Sequence, residues 1–84
     1  MPQIKWNQIR YKYKDERFMQ VHRVLVGYGI YTTYAYTSAG GDLLKLVIND
    51  KINEQCLKKL IDNYTLENIS ASNMGLELVF RIIH

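Results

Sequence analysis

The segment Asp50–Tyr64 (DKINEQCLKKLIDNY) carries the clearest amphipathic helix pattern in the chain. Its apolar residues recur at helical spacing and share one face: Ile52, Cys56, Leu57, Leu60, Ile61 and Tyr64. Glu54–Lys58 and Lys58–Asp62 carry opposite charges four residues apart, as is typical of a solvent-facing side. A single helix of this length is marginal in water. The segment therefore needs a sheet to pack against.

The strongest strand pattern lies just before this helix. Ile30–Thr37 alternates, and the alternation predicts that Ile30, Thr32, Tyr34 and Tyr36 line one face. Ser38–Asp42 (SAGGD) is a glycine-rich hairpin loop. Leu43–Asn49 then returns with Leu44, Leu46 and Ile48 inward and Lys45 outward, and Asn49 or Asp50 is expected to cap the helix.

The C-terminal part predicts a second hairpin. Thr65–Ala71 is typical of a weak edge strand, and Ser72–Gly75 (SNMG) of a turn. Leu76–Ile83 alternates, with its apolar core positions at Leu76, Leu78, Phe80 and Ile82. Its second face is also partly apolar, which favours a central strand or a contact surface.

The N-terminal part is less regular. Gln3–Lys14 alternates with one change of phase, which a bulge near Asn7 and Gln8 would absorb. Asp15 and Glu16 make a plausible tight connection. Arg17–Val26 is ambiguous: its β-branched residues favour a strand. As a short helix it would instead place Phe18, Val21, His22 and Leu25 on one side and end at Gly27.

These patterns predict an α+β fold with one domain over residues 1–84. We expect a small antiparallel or mixed sheet of four to six strands with one amphipathic helix, about 50–64, on one face. Residues 1–23 form a basic N-terminal strand or hairpin, and residues 24–84 form the sheet and helix core. One helix covers only part of one face of such a sheet. The other face must meet water, curl on itself or contact a partner.

Charge is unevenly distributed along the chain. The net charge is +3, yet residues 1–23 carry +4 and the remainder −1. The stretch Val24–Gly41 lacks charge but is too rich in Tyr, Thr and Gly for a membrane-spanning helix. The single cysteine cannot form an internal disulfide, and no secretory signal pattern opens the chain. We expect a soluble, cytoplasmic protein.

No residue pattern indicates an enzyme, a metal site or a cofactor. His22 and His84 are too few for a metal centre. Cys56 lies on the apolar stripe of the helix, which favours a buried, inert thiol over a nucleophile. Ala39–Asp42 precedes a strand, whereas a phosphate-binding loop opens a helix. The expectation is a non-enzymatic protein without a cofactor or a small-molecule substrate.

Two features indicate binding surfaces. The first is a tyrosine set on and around the uncharged strand, suited to a protein interface: Tyr28, Tyr31, Tyr34, Tyr36 and Thr33. The second is a basic and aromatic set at the N-terminus: Trp6, Arg10, Tyr11, Lys12, Tyr13, Lys14 and Arg17. Cationic side chains release counterions from phosphates, and tyrosines stack on unpaired bases. The same pattern also fits a solvated edge strand.

The favoured hypothesis is a binding or assembly module that acts through protein–protein contacts. It would be an accessory or inhibitory subunit of a larger, possibly nucleoprotein, complex, or a homo-oligomer. The tyrosine set makes the contact, and the basic set assists against an acidic partner. The alternative is a protein that binds single-stranded DNA or RNA through the basic set.

Overall fold

The computed structural model describes residues 4–49 and 51–81. Within these residues it contains one five-stranded antiparallel sheet and two α-helices. In chain order the elements are β1 (Trp6–Gln8), a 3₁₀ helix (Lys12–Lys14), α1 (Glu16–Gly27), β2 (Thr32–Ser38), β3 (Leu43–Ile48), α2 (Glu54–Asn63), β4 (Thr65–Ser72) and β5 (Gly75–Arg81). The strand order is β1-β2-β3-β5-β4. The predicted α+β fold is confirmed.

Both predicted hairpins are present. Thr37 of β2 lies opposite Leu44 of β3, and Leu44, Leu46 and Ile48 are buried as predicted. β4 lies at the edge of the sheet, and β5 lies inside it between β3 and β4. The predictions for Asp50, Ile82, Ile83 and His84 lie outside the described residues.

The predicted helix 50–64 is α2, but it begins later than expected. Asn53 is its N-cap, and the side-chain Oδ1 accepts a hydrogen bond of 2.7 Å from the Cys56 backbone N–H. The proposed cap at Asn49 is therefore wrong. Cys56 and Leu60 are fully buried, whereas Ile61 is 55% exposed. The ridge Cys56–Leu60–Tyr64 faces the sheet, so Ile61 points about 100° away from it.

A second helix occupies the ambiguous segment, so the strand preference for Arg17–Val26 is wrong. Asp15 caps α1, since its carboxylate accepts hydrogen bonds from the backbone N–H groups of Arg17 and Phe18 at 2.9 and 3.2 Å. Hydrogen bonding by the Arg17 guanidinium lowers the pKa of Asp15, which keeps the cap charged. The buried side is Phe18, Val21, His22 and Leu25, as the helical alternative predicted.

The end of α1 has the hydrogen bonds of a Schellman motif. Ile30 N–H donates to the Leu25 carbonyl and Gly29 N–H to the Val26 carbonyl, both at 2.9 Å. Gly29 takes the left-handed conformation at φ +76° that this motif requires. Leu25 and Ile30 then meet in the core. The turn that leads into β2 is therefore set by Gly29, two residues after the helix ends.

The long N-terminal strand predicted over Gln3–Lys14 is also wrong. Only Trp6–Gln8 forms β1, which pairs with the end of β2 through Trp6–Ser38 and Gln8–Tyr36. After a last backbone hydrogen bond from Ile9 to Ala35, the chain leaves the sheet and forms the 3₁₀ helix.

Both helices pack on the same face of the sheet. A single buried cluster joins α1 and α2 to alternate residues of β2, β3 and β5: Phe18, Val21, Leu25, Ile30, Ala35, Leu44, Leu46, Ile48, Cys56, Leu60, Leu78 and Phe80. Two helices therefore cover one side, where the sequence predicts one, and the opposite side of the sheet carries no helix among the described residues.

Candidate functional site

The uncovered side of the sheet, called the open face below, is the candidate site. It is formed chiefly by residues of β1, β2, β3 and β5 that point away from the core cluster: Trp6, Tyr34, Tyr36, Leu43, Lys45, Val47, Glu77, Val79 and Arg81. Leu43 and Val47 are buried beneath their neighbours even here. The face therefore has a small apolar base surrounded by aromatic and charged side chains.

Lys45 lies at the centre of the open face. Its Nζ is 4.7 Å from the Trp6 ring centroid and 4.9 Å from the Tyr36 ring centroid. The same Nζ lies 3.7 Å from Oε1 of Glu77 on the neighbouring strand. An ammonium group is attracted to the negative face of an aromatic ring. These contacts hold Lys45, Trp6 and Tyr36 together as one cluster across three strands.

The structure divides the predicted tyrosine set. Tyr34 and Tyr36 lie on the open face with ring centroids 6.5 Å apart, and Tyr34 is 39% exposed. Tyr31, just before β2, is 62% exposed. Tyr28 instead packs against the core at the end of α1.

A register shift between Thr32 and Tyr34 explains why the residues of β2 that were predicted to share one face lie on opposite sides of the sheet. Thr33 is the extra residue of this bulge. Thr32 is therefore buried toward the helices, opposite Ile48, while Tyr34 lies opposite Val47. The prediction that Ile30 and Thr32 share a face with Tyr34 and Tyr36 is wrong.

A shallow depression of about 340 Å³ runs across the open face toward β4. Trp6, Lys45 and Val79 line its middle, and Glu67 and Arg81 lie at its far side. Arg81 is ion-paired with Glu67, and its Nη1 lies 3.4 Å from Oδ2 of Asp42. One arginine thus pairs with two carboxylates, which leaves this side of the depression with a net charge of −1, while aromatic and apolar groups dominate the middle.

The structure also divides the predicted basic set. Trp6 belongs to the open face, and Arg17 is engaged by Asp15 at 2.9 Å. The remaining five residues, Arg10, Tyr11, Lys12, Tyr13 and Lys14, lie in or next to the 3₁₀ helix. Tyr11 is 72% exposed, and the Lys14 Nζ lies 5.8 Å from its ring centroid. Tyr13 contacts Phe18 edge-on, so it also closes one end of the core.

Another depression, of about 360 Å³, lies between α1, α2 and β5 and includes Arg17, Arg81 and Phe80. An anionic ligand would need a cation there. Both arginines already bind carboxylates of the protein, Arg17 with Asp15 and Arg81 with Glu67. Neither arginine of this depression is therefore free to bind an acid or a phosphate.

His22 is buried between Phe18 and Tyr13. Its ring stacks on Phe18 at 4.9 Å and meets Tyr13 edge-on at 5.3 Å. Its Nδ1 has no hydrogen-bond partner among the described residues. Burial, together with the positive charge of Lys12, lowers the pKa of His22 below its usual 6.5. These contacts fit a neutral core histidine.

Protonation of His22 should destabilise the fold. The unfolded chain takes up this proton near pH 6.5, and the folded chain takes it up only at lower pH. The free energy of unfolding therefore decreases as the pH is lowered from about 7.5 to values below about 6.5. The loss levels off below the folded pKa. Urea unfolding measured at about pH 7.5, 6 and 5 checks this, since histidine changes its charge within the range of about pH 5–8. His22→Gln should remove this dependence, and an equally steep dependence in that variant would contradict the assignment.

Cys56 is fully buried, as the sequence predicts, and burial raises the pKa of its thiol. A protonated, inaccessible thiol is a poor nucleophile. Over residues 4–49 and 51–81, no three His, Cys, Asp or Glu side chains lie close enough to hold a metal ion. In the same ranges, no helix has the length and apolarity needed to cross a membrane.

The predicted sets contain three of the nine open-face residues and lack six: Leu43, Lys45, Val47, Glu77, Val79 and Arg81. One signal was present, because Lys45 is the only charge in the strand LLKLVI. A lone lysine between buried neighbours has to reach solvent or find partners. Its partners Trp6 and Glu77 come from distant parts of the chain, which spacing does not reveal.

No family model matches this sequence, and no curated protein or solved structure is significantly similar to it.

Proposed function

We propose that this chain is a non-enzymatic binding module that contacts an acidic protein partner through the open face. The observation that carries the proposal is the cluster of Trp6, Tyr36 and Lys45 on the side of the sheet that neither helix covers. Tryptophan and tyrosine are enriched among the side chains that dominate binding energy at protein interfaces.

Charge favours an acidic partner over a neutral one. The edge of the sheet at β1 continues directly into the basic N-terminal segment, where Arg10 and Lys14 are exposed. Positive potential beside an aromatic contact surface speeds encounter with an acidic protein and orients it. In this proposal the open face supplies contact area and the basic segment supplies steering. The chain would act as an accessory or inhibitory subunit in the cytoplasm, where its single cysteine needs no oxidation.

The test uses the full chain as bait in its native source, in three forms. Wild type is compared with Tyr34→Ala and with the control Tyr11→Ala, which removes an exposed tyrosine outside the open face. A true partner should be captured by wild type and Tyr11→Ala and lost with Tyr34→Ala. Calorimetry with the purified partner should then show at least about tenfold weaker binding for Tyr34→Ala or Trp6→Ala.

Circular dichroism must first show that each bait is folded. Capture that is equal for all folded baits would contradict the proposal. Binding should also weaken with added salt, because the steering charges are exposed.

A second candidate function is binding to single-stranded nucleic acid. It is favoured by Tyr11, which is 72% exposed between Arg10 and Lys12. Fluorescence anisotropy with a labelled single-stranded DNA or RNA would detect it, with affinity that falls steeply as salt rises. Arg10→Glu and Lys12→Glu should reduce this binding, while Tyr34→Ala should not. Absence of binding at low salt would exclude this function.

A further inference from the structure

The edge strand β4 is the second feature of the sheet that lacks a partner. It is eight residues long, whereas β1 at the opposite edge has three. β4 pairs only with β5 among the described residues. Seven of its eight residues are exposed, Leu66 being the exception. Its outer side therefore presents backbone N–H and C=O groups that can pair with another strand.

The composition of β4 does little to prevent such pairing. Natural edge strands are commonly protected by lysine, by proline or by a bulge. β4 (TLENISAS) has neither lysine nor proline, and its one charge, Glu67, is bound by Arg81. A register shift at Glu67 does protect the first part. Asn68–Ser72 beyond it is regular, uncharged and open.

We propose that Asn68–Ser72 pairs antiparallel with the same segment of a second copy of this chain, so that two sheets join into one. An uncharged strand suits its own copy, because identical strands placed side by side bring no like charges together. A charged peptide would find no complementary charge here. This inference stands independently of the proposed function of the open face.

A twofold axis at Ser70 gives the pairing its register. Ser70 then lies opposite Ser70 of the second copy, Asn68 opposite Ser72, and Ile69 opposite Ala71. Ile69 and Ala71 have the parity of the core side, since they lie opposite Leu78 and Leu76 of β5. Ile69, now 37% exposed, would be covered by Ala71 of the second copy. Polar residues would meet on the other side.

This arrangement bears on binding. The axis of an antiparallel pair within one sheet is perpendicular to that sheet, so the two open faces point to the same side. Two contact surfaces on one dimer would raise the apparent affinity for a partner that has repeated sites.

The test is the molecular mass by sedimentation equilibrium, from about 5 to about 500 µM, the range in which small interfaces associate. The molecular mass of the wild type should rise with concentration from the 9.9 kDa of the monomer toward twice that value. Ser70→Lys and Ser70→Glu should each stay monomeric, because they place like charges across the axis. An equimolar mixture of the two should restore the dimer. Asn7→Lys, which adds the same charge on β1, should dimerise as wild type does.

Amide hydrogen exchange supplies a readout that does not depend on substitutions. Protection of backbone N–H groups in Asn68–Ser72 should increase with protein concentration. A wild type that stays monomeric over the whole range would overturn the proposal. A dimer that survives both Ser70 substitutions but is lost in Tyr34→Ala would also overturn it, because the open face would then be the site of self-association.

Discussion

Replacing Phe18 with alanine should lower the free energy of unfolding by about 3–5 kcal/mol. Phe18 is fully buried in α1, and its ring contacts both His22 and Tyr13. Removing the ring leaves a cavity between α1 and the 3₁₀ helix and withdraws support from His22. A domain of this size has a total stability of about 4–13 kcal/mol. The variant should therefore unfold at a much lower urea concentration, measured by circular dichroism.

Val26→Ala is the matched control for Phe18→Ala. Val26 lies in the same helix but is 36% exposed, and alanine has the higher helix propensity. Its effect should stay within about 0.5 kcal/mol. If Phe18→Ala cost no more than the control, Phe18 would not belong to the core and α1 would not pack as described.

The second large effect is expected at Gly75, the first residue of β5. Its φ is +135°, a conformation that residues with a Cβ rarely adopt. A Cβ built there would also lie 2.4 Å from the carbonyl oxygen of Ile48, a backbone atom that cannot rotate away. Gly75→Ala should therefore cost about 2–4 kcal/mol, from strain and from displacement of β3.

Gly27→Ala is the control for this substitution. Gly27 is the last residue of α1, and a Cβ there would have no neighbour within 4 Å. Alanine should be neutral or stabilise the protein by up to about 1 kcal/mol, since it restricts the unfolded chain. The melting temperatures of the two variants should shift in opposite directions or differ widely from each other. Equal melting temperatures would contradict the close approach of Gly75 to β3.

The difference between the predicted and the observed helices shows where local patterns suffice. In α2 the helical spacing of apolar residues, the charge pairs and the expected burial of Cys56 all indicate a helix, and the structure contains one. In Arg17–Val26 two patterns competed. The valines favour a strand, whereas the spacing of Phe18, Val21 and Leu25 favours a helix. Burial against the sheet decided in favour of the helix, because propensity differences of a few tenths of a kcal/mol per residue are smaller than the gain from core packing.

The open face was predicted in part. The tyrosine-rich strand indicated that one side of the sheet lacks cover, and Tyr34 and Tyr36 do lie there. The bulge at Thr33 changed which residues accompany them, since one extra residue moves every later side chain to the opposite face. No local signal marks that bulge, because it depends on how β2 pairs with β3.

By itself, the sequence determined the α+β class, α2, both hairpins, the edge position of β4 and the buried state of Cys56. Each of these follows from the periodicity of apolar residues or from turn residues, which act over a few neighbouring positions. Only the tertiary structure decided that Arg17–Val26 is a helix and that Trp6, Tyr36 and Lys45 meet on one face. Those outcomes depend on contacts between residues far apart in the chain, such as Phe18 with the strand that holds Phe80 and Trp6 with Lys45, whose energies no local pattern contains.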